Sequence, residues 1–365
     1  MTKVSVIITN YNNRHNIKNC IESVLKQKKL EDIELEIIVV DAGSNDDSQE
    51  ILKYYNQIKI FYNNDTIRNV FSPSTCRNIG VENSNGELLF FIDSDCIASE
   101  NWISDMIKHF RKNENIVCVF GGRKPDLGRG IGTFYRSLYT IIYSRKFRLV
   151  KDMVLNKNTI NKRLSSFVLM ATNNLSIKKS AWLSLGRMSE SFANPAGEDI
   201  LMEFELIQAG YTLIFDPNIK IEHNHPLSLK SLIKKSWQQD EAIFLVRKLA
   251  MQYVDWKHFV ELNNFLKNII ISIIIAIGIF ALVPTTGIKI QIIGLFILLL
   301  IVKRVSELKT RLKMALEFQD NLRYQNYYKI SFIKLLLFDL IDFLTKGCRI
   351  TSYCYYSFVK EQDVF

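Results

Sequence analysis

Phe90-Phe91-Ile92-Asp93-Ser94-Asp95-Cys96 is an apolar run that stops abruptly at two carboxylates one residue apart. Leu88 and Leu89 extend it backwards, giving a short, continuous hydrophobic block that reads as a strand covered on both faces. Open α/β sheets bind ligands at the carboxyl ends of such strands, where Asp93 and Asp95 would emerge. Two hard oxygen donors this close suit Mg²⁺ or Mn²⁺, which usually keep positions open for substrate phosphates. Alone, Asp-x-Asp reads more readily as a solvated turn, so its meaning depends on what else converges on the same edge.

Outward from this strand the pattern alternates. Val4 to Thr9 and Ile37 to Val40 are β-branched runs, each followed by a polar turn and a helix-like segment, Ile17 to Lys26 and Ser48 to Tyr55. Ile58 to Tyr62 and Val117 to Phe120 are further strands, with a helix predicted at Asn101 to Arg111. Thr212 to Phe215 and Lys220 to Glu222 read as two short closing strands. The β-α-β-α order predicts an α/β fold with a doubly wound, mainly parallel sheet flanked by helices, over residues 1–230.

At 365 residues the chain can fill the core of an enzyme. Its net charge of +10 is concentrated late, residues 231–365 holding 18 Lys/Arg against 11 Asp/Glu. That tail contains two apolar arms around Pro284-Thr285-Thr286-Gly287, read as a transmembrane helical hairpin over 266–303 with Lys267, Lys289 and Lys303 snorkelling, the alternatives being a buried helical hairpin or a re-entrant loop. Amphipathic linker helices fill 231–265 and basic amphipathic helices 304–365, including an interfacial segment at Ile333 to Leu344. A membrane lipid is therefore an expected partner, and nucleic acid is not. The flanking cations place both ends of the hairpin, and the amino-terminal domain, on the cytosolic side of the cell membrane. Cys20, Cys76, Cys96, Cys118, Cys348 and Cys354 lack paired zinc or redox spacing and read as reduced thiols. No leader-like segment precedes Val4.

Five further stretches would share the edge of Asp93. Thr9-Asn10-Tyr11 follows the first strand, and Asp41-Ala42-Gly43-Ser44 the second. Asp41 can accept from a base or ribose, while Ser44 or Asp46 can simply cap the next helix. Arg77 near a helix start can grip a phosphate or merely pair with Glu82 at the surface. Glu198 and Asp199 open a helix, where the dipole favours acids whether or not one is a general base. His223 and His225 follow the closing strands and are candidates to complete a metal shell with Asp93 and Asp95.

The series Val4 to Asn12, Val39 to Ser44, Cys76 to Gly80, Asp93-Ser94-Asp95 and Gly197-Glu198-Asp199 resembles the family 2 inverting glycosyltransferases of the GT-A fold, over about residues 3 to 230. The resemblance implies a nucleotide-diphosphate sugar donor, most readily a UDP-sugar, held by Thr9, Asn10, Tyr11, Asp41, Ser44, Arg77, Asp93 and Ser94. It implies Mn²⁺ or Mg²⁺ at Asp93 and Asp95, with Asp95 the more direct ligand. Asp199 becomes the catalytic base and Glu198 its neighbour near the acceptor, a glycan or a polyprenyl-linked glycan. Two departures stand out. Many relatives carry a second acid where this chain has Ala42, and Ser236-Trp237-Gln238-Gln239 lacks the arginine of processive synthases, favouring single addition. A sugar nucleotidyltransferase would need a glycine-rich basic loop after its first strand, which Thr9-Asn10-Tyr11-Asn12 is not; an inactive GT-A scaffold would need none of the acids.

Overall fold

The computed structural model describes residues 1–28, 31–63, 72–124, 153–160, 170–192 and 197–224, with a few positions between 228 and 234. The 266–303 hairpin, both helical regions beside it, His225 and Ser236 to Gln239 lie outside the described residues. Among the described residues no helix is long and apolar enough to cross a membrane.

Alternating burial along the central strands creates two cores. Val4, Val6 and Ile8 of β1 (Thr2–Asn10) and Leu88, Phe90 and Ile92 of β4 (Leu88–Asp93) face one layer; Ile7, Leu89 and Phe91 face the other. On the first side pack α1 (Ile17–Leu25) and α4 (Trp102–Lys112), with Ile17, Ile21, Trp102 and Met106 buried. On the second pack α3 (Pro73–Glu82) and the later helices α6 (Lys179–Ser184) and α7 (Glu198–Gln208), contributing Cys76, Trp182, Phe204 and Leu206. Each fully buried large side chain is worth about 1.5–3 kcal/mol. Trp182 stacks on Phe91, with ring centroids 4.8 Å apart, and fastens α6 to the middle of the sheet.

The strand order is β3-β2-β1-β4-β8-β6-β9-β5, with β7 (Met153–Leu155) beside β9. β2 (Ile33–Asp41), β3 (Lys59–Tyr62), β1 and β4 are parallel, as predicted. The remainder is mixed. β8 (Leu175–Lys178) runs antiparallel between β4 and β6 (Ile116–Arg123). The two closing strands are one, β9 (Thr212–His223), parallel to β6 with its register shifting between Gly121 and Gly122. At that bulge a Cβ on Gly121 would lie 2.1 Å from the Ile219 carbonyl oxygen, so only glycine lets the strands meet. Buried Asn174 closes the gap, donating to the carbonyls of Gly122 and Ile219 and accepting from Trp102 Nε1 at 2.8 Å. Two shorter helices, α2 (Ser48–Leu52) and α5 (Lys157–Ile160), complete the described set. α2 ends three residues before the Tyr55 expected from the sequence.

Candidate active site

Parallel pairing brings Asn10, Asp41 and Asp93 to the same edge, because Thr9 is level with Asp93 and Asn10 with Asp41. Asp41 is wholly buried and bound from within. Its Oδ1 accepts from the amides of Gly43 and Ser44 and from Gln49 Nε2, and its Oδ2 from Ser44 Oγ and Asn10 Nδ2, both at 2.6 Å. Ser44 Oγ also receives the Asn12 amide at 2.8 Å. Ser44 thus ties the first two turns together; the N-cap of α2 is Asp47, whose side chain makes no capping bond, and Asp46 Oδ1 beside it accepts from the Ser48 amide. Thr9 is buried, Tyr11 is exposed at the rim, and Ser94 Oγ accepts from Asn13 Nδ2 at 2.9 Å.

The Asp-x-Asp pair is divided between two neighbourhoods. Asp93 Oδ1 accepts from Thr9 Oγ1 and from Arg77, both at 3.1 Å. Arg77 is buried, not superficial, and Glu82 pairs with Arg187 instead. The second terminal nitrogen of Arg77 donates to Glu198 Oε1 at 3.0 Å, so one guanidinium joins β4 to the first residue of α7. Burial opposes the Arg77 charge, but Asp93, Glu198 and Asp199 outweigh it and raise the pKa. Arg77 is held in turn by its helix: Asn78 of α3 exchanges hydrogen bonds with the backbone of Met188, fixing the chain that approaches α7.

Gly197, at φ +95°, turns that chain sharply into α7. Glu198 is buried against Arg77, while Asp199 is half-buried. Burial and the adjacent Glu198 charge push the Asp199 pKa up to about 7, against the smaller pull of Arg77 and Arg123. A carboxylate poised there is suited to accepting a proton at neutral pH. Asn10 Oδ1, Arg77 Nε and Glu198 Oε2 are buried without a hydrogen-bond partner. Such unsatisfied atoms are rare in folded proteins, and here they gather on the elements that meet at this edge.

Asp95 turns the other way, toward β5 (Cys96–Ile97). His223 is level with Cys96, and its Nε2 lies 3.2 Å from Asp95 Oδ2. Asp95, Cys96 and His223 present ligand atoms within 4.8 Å of one another. Burial and the charges of Asp95 and Asp93 drive the Cys96 thiol far above its ordinary pKa, so it stays protonated and donates to Asp95 Oδ1 at 3.5 Å. The hard donors of the cluster are one carboxylate and one imidazole, an O/N set compatible with Mn²⁺ that leaves positions for phosphate oxygens, whereas a thiol is a soft ligand. The structure thus groups Asp95 with His223 as expected, and sets Asp93 against Arg77 rather than in that cluster. Cys96, Asn13, Gln49 and Asn78 were missed; Cys96, Asn13 and Asn78 lie within or directly adjoin the motifs, whereas nothing local marks Gln49.

Residues 5–164 match the family described as Glycosyl transferase family 2. This segment is a family 2 glycosyltransferase domain, and the edge just described is the carboxyl edge of its sheet. Over 132 residues the chain is 32% identical to poly(ribitol-phosphate) beta-N-acetylglucosaminyltransferase TarP of Staphylococcus aureus, covering 36% of this chain and 39% of TarP. The match thus spans about two fifths of that relative's length. Among solved structures, the mannosyltransferase PcManGT of Pyrobaculum calidifontis, in complex with GDP-Man and Mn²⁺, aligns at a TM-score of 0.56 and 14% identity over 89% of this chain and 88% of its own. S. aureus TarS 1-349 aligns at 0.52 and 16% identity over 97% and 91%. These likenesses establish the GT-A-type fold.

Proposed function

We propose that this chain moves a sugar, with inversion, from a nucleotide-diphosphate sugar to a hydroxyl of a glycan or lipid-linked acceptor. One observation carries the reading: the Asp93–Arg77–Glu198 bridge fixes the start of α7, and with it Asp199, against the strand end bearing the Asp-x-Asp pair. Donor and base are thereby held on one edge. Asp199 takes the proton from the acceptor hydroxyl as that oxygen attacks the anomeric carbon from the face opposite the diphosphate. The bond to the diphosphate breaks as the new one forms, its electron pair leaving with the diphosphate, and this one displacement inverts the centre. Asp95 and His223 are the residues that would hold Mn²⁺ or Mg²⁺, which when bound neutralises charge building on the leaving diphosphate. The solved complex of PcManGT with GDP-Man and Mn²⁺ supports a donor and cation of these classes. We place the domain at the cytosolic membrane face because of the apolar arms at 266–303 and the basic residues flanking them, a siting that concentrates an anionic lipid-linked acceptor.

The test is a panel of UDP-, GDP- and dTDP-sugars with the full-length protein and Mn²⁺, scored for binding and for transfer or slow hydrolysis. Asp199→Asn is expected to lose about 10²- to 10⁴-fold in transfer while still binding the donor. Transfer by that variant near the parent's rate refutes Asp199 as the base. Failure of the parent to bind any of the donors refutes the reading as a whole.

A further inference from the structure

Arg123 is the last residue of β6 and so stands at the same carboxyl edge. Its register partner on β9 is Ile221, two residues before His223, which itself lies level with Cys96 beside Asp95. Its position is firm, because the following amide, that of Lys124, donates to the Ile221 carbonyl at 2.8 Å. The Arg123 side chain is half-buried and makes no hydrogen bond or ion pair with the described residues. The neighbouring basic groups Arg77, His223 and Lys124 are engaged. Arg77 is locked between Asp93 and Glu198, His223 faces Asp95, and Lys124 holds Glu222 at 2.9 Å.

The charge around it explains why a cation is needed. Asp93, Asp95, Glu198 and Asp199 all meet this edge, and the one charge of the Arg77 guanidinium offsets only half of the pair it bridges. An incoming diphosphate would meet an anionic surface. A cation held by Asp95 and His223 answers part of that repulsion. A half-buried guanidinium with its fork unspent suits the rest, since its planar geometry matches phosphate oxygens two at a time. The Arg123 charge is already close enough to favour the ionised form of Asp199.

We propose that Arg123 binds the diphosphate of the donor, the task the sequence assigned to Arg77. Arg77 is instead a positioning residue, its terminal nitrogens given to Asp93 and Glu198. This assignment rests on the nucleotide-sugar reading above.

The experiment measures binding of UDP, GDP and dTDP to the full-length protein in Mn²⁺ by calorimetry, for the parent and for Arg123→Gln and Arg123→Lys, with melting temperatures alongside. Arg123→Gln is expected to weaken the diphosphate that the parent binds by about 10- to 100-fold, the size of a lost charge-assisted pair, with an unchanged melting temperature. Arg123→Lys, which keeps the charge but not the fork, recovers part of the loss. Equal affinity in parent and Arg123→Gln overturns the assignment of Arg123 and leaves the donor reading intact. A lowered melting temperature in both variants also overturns it, because the side chain is then structural. If the parent binds none of the diphosphates, the donor reading falls and the assignment with it.

Discussion

Replacing Arg77 with methionine removes the charge from the bridge while keeping much of its length. The two carboxylates left behind are in unlike surroundings: Glu198's side chain is 6% exposed and Asp93's 32%. Near solvent, the contact with Asp93 is worth about 0–1 kcal/mol. The buried contact dominates, because an uncompensated carboxylate in the interior costs about 3–5 kcal/mol. Protonation offers an escape, and for an ordinary glutamic acid of pKa about 4.3 it costs about 3.7 kcal/mol at pH 7, which bounds the loss at a similar figure. The sign with pH follows. A stranded carboxyl that folds in its protonated form has a folded pKa above its unfolded one, so the folded variant binds more protons and gains stability as the pH falls. The deficit should shrink by about 1.4 kcal/mol per pH unit, to about 1 kcal/mol at pH 5. At about 2–4 °C per kcal/mol, Arg77→Met melts about 7–15 °C below the parent at pH 7 and a few degrees below it at pH 5. Arg77→Met with Glu198→Gln should recover most of the difference. A single variant within 2 °C of the parent at pH 7, or one with the same deficit at both pH values, refutes the bridge as a buried and indispensable pair.

Two other outcomes follow from the geometry. With Asp199 raised to about 7 and active only when deprotonated, kcat/KM should climb about tenfold per unit below pH 7 and level off above it. A profile flat from pH 5 to 8 contradicts that assignment. Gly121→Ala forces a methyl onto the Ile219 carbonyl and the Asn174 amide, and should cost about 1–3 kcal/mol in thermal unfolding; an unchanged melting temperature means the bulge can relax.

Long apolar runs and their carboxyl ends were legible in the sequence. β1, β2 and β4 announce themselves by uninterrupted Val, Ile, Leu and Phe, and the parallel pairing then places Asn10, Asp41 and Asp93 side by side without further information. β8 escaped because Leu175-Ser176-Ile177-Lys178 is four residues of ordinary alternation, indistinguishable from a loop until β4 and β6 are known to need a strand between them. β9 was divided in two because Pro217 signals a break, whereas in the fold it sits at a bulge that a strand can absorb. The Arg77 bridge was invisible for another reason. Its partners come from a strand and from a distant helix start, and only tertiary packing decides that a basic side chain on α3 faces inward between them. The sequence showed which residues have chemistry to offer, but not that Asp93 and Asp95 would turn to different neighbours.

The insertion of β8 also governs how the chain is made. The exposed edge of β4, Leu88 to Phe91, is completed only by residues 175–178, so roughly 85 further residues must be synthesised before that edge is covered. At about 5–20 residues per second, a nascent chain presents an uncapped Leu-Leu-Phe-Phe strand for roughly 4–17 s, long enough to meet a chaperone or another nascent copy. The strand that ends in the donor edge is therefore also the segment most in need of protection on the ribosome.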